Sequence, residues 1–353
     1  MRPLRTMVPE PVKAALRRTP QYRRWAATQA HLARLEDLAA FAEPLEDNGV
    51  RGQLTGDVPT WAPFLRFAGP GHFYSPIPRL DDVLADADRL FVRPDAIPGI
   101  DTNDDVQRRH IVEIADLLSG EDLPVMPTPE WRYYAHNFAF GIGDAMILHG
   151  MLRRCRPTRI VEIGSGYSSA LMLDTIERHL PSTQVTFVEP YSDLLRSLLR
   201  EGDEQRCTII EARAQDVDAA LVRDLGPGDL LFIDSTHVVR TGSDVCRIVL
   251  DLLPQVRPGV IVHIHDMFWP FELPRGWVEE GRQWAECYLV RAMLMDNPTW
   301  EILLYNDYVG VRETELLQQV LPRFLGNPGG SLWLRRRAAP SASTDGDDGQ
   351  PSG

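Results

Sequence analysis

From residue 159 onward, short apolar runs alternate with longer stretches whose apolar positions recur every three or four residues. The runs at 159–163, 184–188, 207–211, 229–233, 259–264, 300–305 and 331–335 predict strands. Between them, the stretches near 168–180, 192–200, 216–223, 243–252, 278–295 and 313–323 predict helices. Such alternation predicts an α/β fold with a seven-stranded, mostly parallel sheet covered by helices on both faces. The last run, Ser331-Leu332-Trp333-Leu334, follows the sixth without a clear βαβ rhythm, which points to an antiparallel strand.

Upstream the rhythm is different. Helical patterns at 31–41, 81–90 and 105–118 are broken by Gly69-Pro70-Gly71 and Ser75-Pro76-Ile77-Pro78, and no strand alternation is visible. Residues 1–130 are expected to form a mainly helical accessory or lid region. A linker at 124–129 and a helix at about 143–154 lead into a domain spanning 131–337. The Ser/Gly/Asp/Pro-rich tail, 338–353, is expected to be disordered.

The first strand carries the strongest chemical signal. Ile160, Val161 and Ile163 surround Glu162, and the chain then breaks at Gly164-Ser165-Gly166 before a helical pattern that includes Ser168. Glycines permit a tight turn and close backbone approach to a ligand, and exposed amides at a helix start favour polar groups. Glu189 ends the second strand 27 residues after Glu162, near the interval at which doubly wound folds present an acid to ribose hydroxyls. After the third strand stand Gln215 and Asp216, placed either to meet an adenine edge or, for Asp216, to cap the next helix. The fourth and fifth strands end in Asp234-Ser-Thr-His237 and His263-Ile-His265-Asp266. Asp234, His237, His265 and Asp266 are expected to converge on the pocket side of the sheet, with His263 in the core.

The acid-x-Gly-x-Gly order and these strand ends resemble the class I S-adenosylmethionine (SAM)-dependent methyltransferases over residues 131–336, and among them the small-molecule, macrolide-sugar type O-methyltransferases. The resemblance implies a Rossmann-like sheet that binds SAM. Glu162 and the turn Gly164, Ser165, Gly166, with Ser168, would hold the methionine part, Glu189 the ribose, and Gln215/Asp216 the adenine. It further implies that His237 is a general base, that Asp234 is catalytic and also borders the cofactor, and that Asp234 and Asp266 bind a divalent metal. His265 stands where that subgroup has an acid, which disfavours magnesium and leaves a softer metal at Asp234, His265 and Asp266, or none. The reaction implied is transfer of a methyl group to a hydroxyl of a sugar or other natural product.

Two other readings are open. A nicotinamide (NAD(P))-dependent oxidoreductase lacks support, because a third glycine is missing and Lys13, the only lysine, lies outside the sheet region. A catalytically silent SAM-binding protein is disfavoured by the intact acid and histidine cluster. The aromatic segment Met267 to Trp277, with Trp284, Glu286 and Tyr288 beyond it, is either a substrate wall or lid, or core packing. Tyr133, Tyr134 and Asn137 carry the same two readings, and Thr241-Gly242-Ser243-Asp244 reads as a helix cap.

Composition narrows the partners. A net charge of −13 disfavours nucleic acid, and no apolar run approaches the roughly 20 residues that span a bilayer. No secretory signal is visible at the N-terminus. The four cysteines are scattered, as expected of reduced thiols in a cytoplasmic protein. Residues 1–34 hold eight basic residues and one acid, a local excess that contrasts with the acidic remainder. The expected partners are a small-molecule acceptor and, through the front region, a second copy in a homo-oligomer.

Overall fold

The computed structural model describes residues 67–338, so the helix expected at 31–41, the basic arm and nearly all of the tail lie outside the described residues. The chain divides into two compact units between Arg79 and Leu80. Of the first, the described part is a turn in which His72, Phe73 and Tyr74 place their rings against one another.

In the second unit, strands β1 (Arg159–Ile163), β2 (Gln184–Val188), β3 (Cys207–Ile210), β4 (Leu230–Ile233), β5 (Ile261–Ile264), β6 (Trp300–Tyr305) and β7 (Leu332–Arg336) form one sheet. Their order is β3-β2-β1-β4-β5-β7-β6. β1 to β5 pair in parallel, whereas β7 runs antiparallel between β5 and β6. Helices cover both faces, so the central strands are buried along their whole length: all four residues of β4 and of β5 are buried. Six predicted strands match within a residue at each end, and β5 begins two residues later than expected. His263 sits in the core, its ring stacked 3.7 Å from Phe232.

Helical boundaries depart more. The stretch expected as one helix at 278–295 is two, Arg275–Glu279 and Glu286–Leu294. Gly281, at φ 86°, adopts a left-handed conformation that closes the first. A helix at Asn306–Arg312 follows β6 directly. Ser243 caps its helix as expected, accepting from the Cys246 N–H at 3.2 Å.

The boundary expected at 130 is not where the packing divides. Ile111, Ile114 and Leu118, on the helix Asp104–Leu118, are buried in the same core as Leu148 of Ile142–Cys155 and Leu304 of β6. The apolar stripe of that helix needs a partner, and the sheet domain supplies it. Residues 80–130 therefore belong to the body that carries the site.

The segment after the linker is pinned by charge. The buried Arg132 guanidinium meets Asp174 at 2.8 Å, Glu177 at 2.8 Å and Asp203 at 2.6 Å. Its own N–H and that of Tyr133 also donate to Asp174. This network fastens the 131–140 segment to the helix Tyr167–His179. Replacing Arg132 with Ala leaves two buried carboxylates uncompensated, and the unfolding free energy is expected to fall by about 3–5 kcal/mol in urea denaturation. A loss below about 1 kcal/mol would show that the network does not hold this segment.

Candidate active site

The strand order reverses between β1 and β4, and ligands of open α/β sheets bind in the crevice at such a switch point, beyond the strand ends. Gly164 follows β1 and Asp234 follows β4 there. The two backbones are tightly crossed: Gly164 has φ 84°, and a Cβ on it would lie 1.9 Å from the Asp234 carbonyl oxygen. Only glycine fits this position.

Beneath the turn lies Glu162, fully buried. Ser168 and Ser169 donate their hydroxyls to its two oxygens at 2.5 and 2.6 Å, and the Gly166 N–H donates to Ser169 Oγ at 3.0 Å. A carboxyl-to-hydroxyl-to-amide relay thus fixes the turn. With both oxygens hydrogen-bonded by serine hydroxyls and no exposed surface, Glu162 shapes the cradle from beneath. Burial pushes its pKa up to about 8, more than the two serine hydrogen bonds pull it down.

Glu189 is joined to the same turn. Its Oε2 accepts the Ser165 N–H at 3.1 Å and its Oε1 the Tyr191 N–H at 2.8 Å. Burial, and more weakly the charge of Asp234, raise its pKa. Ser165 Oγ is buried with no hydrogen-bond partner, an orphaned polar atom in the turn. Tyr191, beside Glu189, is 84% exposed. Sequence reading passed over this aromatic face; its place two residues beyond the ribose-type acid was the signal.

The adenine positions expected from sequence are not offered to the crevice. Gln215 donates to the Gly242 carbonyl at 3.0 Å. Asp216 pairs with Arg213 at 2.7 Å and borders a cleft shared with Arg159 and Gln184, the first residues of β1 and β2. Nor does Asp216 cap the next helix, Ala220–Arg223, whose first N–H donates to Asp218 Oδ1 at 2.8 Å.

At the ends of β4 and β5 the histidine cluster does converge. His237 is buried; its Nδ1 lies 2.8 Å from Glu286 Oε2, and its Nε2 lies 3.4 Å from both Asp234 and Asp266. The amides of Ala285 and Glu286 donate to the His237 carbonyl, so the helix break that sequence reading missed is what delivers Glu286. Ser235 Oγ also donates to Glu286 Oε2, at 2.9 Å. Burial opposes the charged imidazole, yet the hydrogen bonds to Asp234 and Glu286 and the nearby carboxylates outweigh it and hold its pKa well above the ordinary value. Asp234 is shifted the other way: burial raises its pKa, but His265 and His237 together bring it below the usual range. His237 and Asp266 both have left-handed backbones, at φ 60° and 56°. Such conformations gather at functional sites, where surrounding structure holds them.

The metal set expected from Asp234, His265 and Asp266 is not assembled. His265 Nε2 lies 3.6 Å from Asp266, but it is the His237 ring that stands between Asp234 and Asp266.

Aromatic rings close the His237 side. Trp284 lies 4.5 Å from His237, Trp277 packs edge-on at 5.3 Å from Trp284, and Phe268 lies 4.9 Å from Trp277. Trp269 and Phe271 instead turn into the core, where Trp269 donates to the Pro94 carbonyl. The loop is thus part wall and part packing. Tyr133 is core, bonded to the Phe140 carbonyl, whereas the Tyr134 and Tyr167 hydroxyls meet at 3.0 Å.

The crevice therefore presents an orphaned hydroxyl and a turn closed to any side chain larger than hydrogen at Gly164, ringed by Glu189, Asp234, Asp266 and Glu286. Carboxylates attract a ligand bearing ammonium and sulfonium charge and repel a pyrophosphate. SAM fits this donor set; a dinucleotide does not.

Replacing Gly164 with Ala is expected to lower stability by about 1–3 kcal/mol and to weaken SAM binding in calorimetry, because the turn must move away from Asp234. Unchanged affinity would place the cofactor elsewhere. For Glu162, a pKa raised from 4.5 in the unfolded chain to about 8 means the folded state binds the extra proton. Its destabilising contribution is absent below pH 4.5, grows up to about pH 8 and is constant above. The stability of Glu162→Gln relative to the parent should thus rise across that window; a pH-independent difference contradicts a neutral Glu162.

Known proteins resemble this chain as follows. Residues 161–267 match a family model described as "Methyltransferase domain". An uncharacterized protein of Archaeoglobus fulgidus is 35% identical over 164 residues, covering 44% of this chain and 72% of that protein. Among solved structures, the S-adenosylhomocysteine-bound methyltransferase PaMTH1 of Podospora anserina aligns with TM-score 0.37 and 20% identity over 73% of this chain and 95% of its own. The O-methyltransferase TomG of Streptomyces achromogenes, solved with SAM and involved in tomaymycin synthesis, aligns with TM-score 0.37 and 16% identity over 73% and 96%. Strand order and glycine cradle agree with the match of residues 161–267 to a methyltransferase domain.

Proposed function

We propose that the protein methylates a hydroxyl group of a small molecule of the natural-product kind, with His237 as the general base. The observation that carries this reading is the pairing of His237 Nδ1 with the buried Glu286 at 2.8 Å, which leaves Nε2 facing the crevice acids. SAM, when bound, supplies a methyl carbon made electrophilic by its sulfonium.

The residues divide the work. Ser165 and the turn Gly164–Gly166 hold the methionine end, Glu189 accepts from the ribose diol, and the exposed ring of Tyr191 offers a stacking face to adenine. The alcohol binds on the Trp284 side, its oxygen directed at His237 Nε2. Its proton would pass to that nitrogen as the methyl carbon–oxygen bond forms and the methyl–sulfur bond breaks to release neutral S-adenosylhomocysteine, and Glu286 would stabilise the resulting imidazolium. Asp234 and Asp266 orient the ring and favour positive charge in the crevice. An alcohol is a poor nucleophile at neutral pH, so a base and in-line positioning both contribute.

Turnover requires the neutral ring, and the raised pKa of His237 delays its loss of a proton. The ascending limb of the pH–rate profile is therefore expected above the ordinary imidazole value near 6.5. Against a panel of hydroxylated small molecules, His237→Ala is expected to lose about 10²–10⁴-fold in methyl transfer, read as S-adenosylhomocysteine release, with SAM affinity unchanged. Full activity in that variant removes the base from His237.

A further inference from the structure

Among the described residues, one group of His, Cys, Asp and Glu side chains has its ligand atoms all within 4.8 Å of one another: Glu121, His149 and His179. It lies apart from the cofactor cradle. His179 ends the 13-residue helix that begins at the glycine turn, about 20 Å away at 1.5 Å per residue. His149 is on Ile142–Cys155, and Glu121 follows Asp104–Leu118, so three helical elements meet at this point.

Hydrogen bonding fixes the His149 tautomer. Thr175 Oγ1 donates to the Leu171 carbonyl at 2.7 Å, so its lone pair must accept from His149 Nδ1–H, also at 2.7 Å. His149 Nε2 therefore carries a lone pair. That nitrogen is fully buried, has no hydrogen-bond partner, and points at Glu121 Oε2 from 3.5 Å. A lone pair facing a carboxylate oxygen is repulsive unless something electron-poor stands between them.

The spacing suits a metal ion. Bonds of about 2.0–2.1 Å to a tetrahedral centre place neighbouring ligand atoms about 3.3–3.4 Å apart. The separations here are 3.5 Å for His149 to Glu121 and 3.1 and 3.3 Å for His179 Nε2 to the two Glu121 oxygens. Thr175 supplies the outer hydrogen bond that orients a ligating imidazole. Arg153 donates to Glu121 Oε2 at 2.8 Å and fixes the orientation of that carboxylate. His179 and Glu121 are partly exposed, leaving room for a water as fourth ligand.

We propose that Glu121, His149 and His179 bind a divalent transition-metal ion of the zinc class, with water completing a tetrahedron, and that the ion clamps the three helical elements together. Two imidazoles and one carboxylate favour such an ion over magnesium or calcium.

The test uses the full chain, stripped with a chelator and titrated with Zn²⁺ by calorimetry and with Co²⁺ by visible absorption. One ion per chain, tetrahedral Co²⁺ bands and a raised melting temperature are expected. His179→Ala and Glu121→Gln should weaken binding at least about tenfold and abolish the thermal shift, and Thr175→Val should weaken it about 10–100-fold. Asp266→Asn, at the other histidine cluster, should leave Zn²⁺ affinity unchanged. Circular dichroism and SAM binding of His179→Ala check that the variant folds. No stoichiometric binding, or binding that Asp266→Asn removes and His179→Ala does not, overturns the proposal.

Discussion

Glu162 sits fully buried under the glycine turn, and the cofactor cradle depends on that arrangement. A buried carboxyl is costly unless hydrogen-bonded, and the hydroxyls of Ser168 and Ser169 satisfy it. The same hydroxyls belong to the first turn of the helix Tyr167–His179, so the acid couples the end of β1 to the start of that helix. Gly164 can then cross Asp234 at a distance no Cβ tolerates. The turn, Glu189 and Asp234 are thereby placed around one crevice by a single buried group.

Electrostatics follow from that placement. Asp234, Glu189, Asp266 and Glu286 line one region, and their common sign selects a cationic ligand. The cost of gathering them is relieved locally: Glu189 by two backbone amides, Glu286 by His237 and Ser235, Asp234 by His237. His237 is the pivot, since its ring meets three of these acids. Its left-handed backbone is held by the Ala285 and Glu286 amides on its carbonyl.

Much of this was legible in the sequence where local pattern decides the outcome. The apolar runs of β1, β4 and β5 are buried on both faces, and such strands announce themselves. Glu162-x-Gly164-x-Gly166 and Glu189 were visible because strand-end chemistry at a switch point is local. Less was legible where distant segments meet. Glu286 was read only as part of a substrate wall or lid or of core packing, since nothing nearby reveals that the helix breaks at Gly281 and docks on His237. Gln215 and Asp216 have the right residue types, yet Gly242 and Arg213 occupy them. The boundary at 130 followed a proline-rich connector, but the apolar stripe of Asp104–Leu118 is completed by residues far along the chain. The same blindness hid Glu121, His149 and His179, which come together only once their three helical elements pack.

A crystal structure with S-adenosylhomocysteine tests the central claim most directly. The account predicts the amino-acid end against Gly164–Gly166, the ribose diol on Glu189, and the sulfur facing the His237 side of the crevice with space for one hydroxyl between. A ligand bound elsewhere, or one whose sulfur turns away from His237, would contradict it.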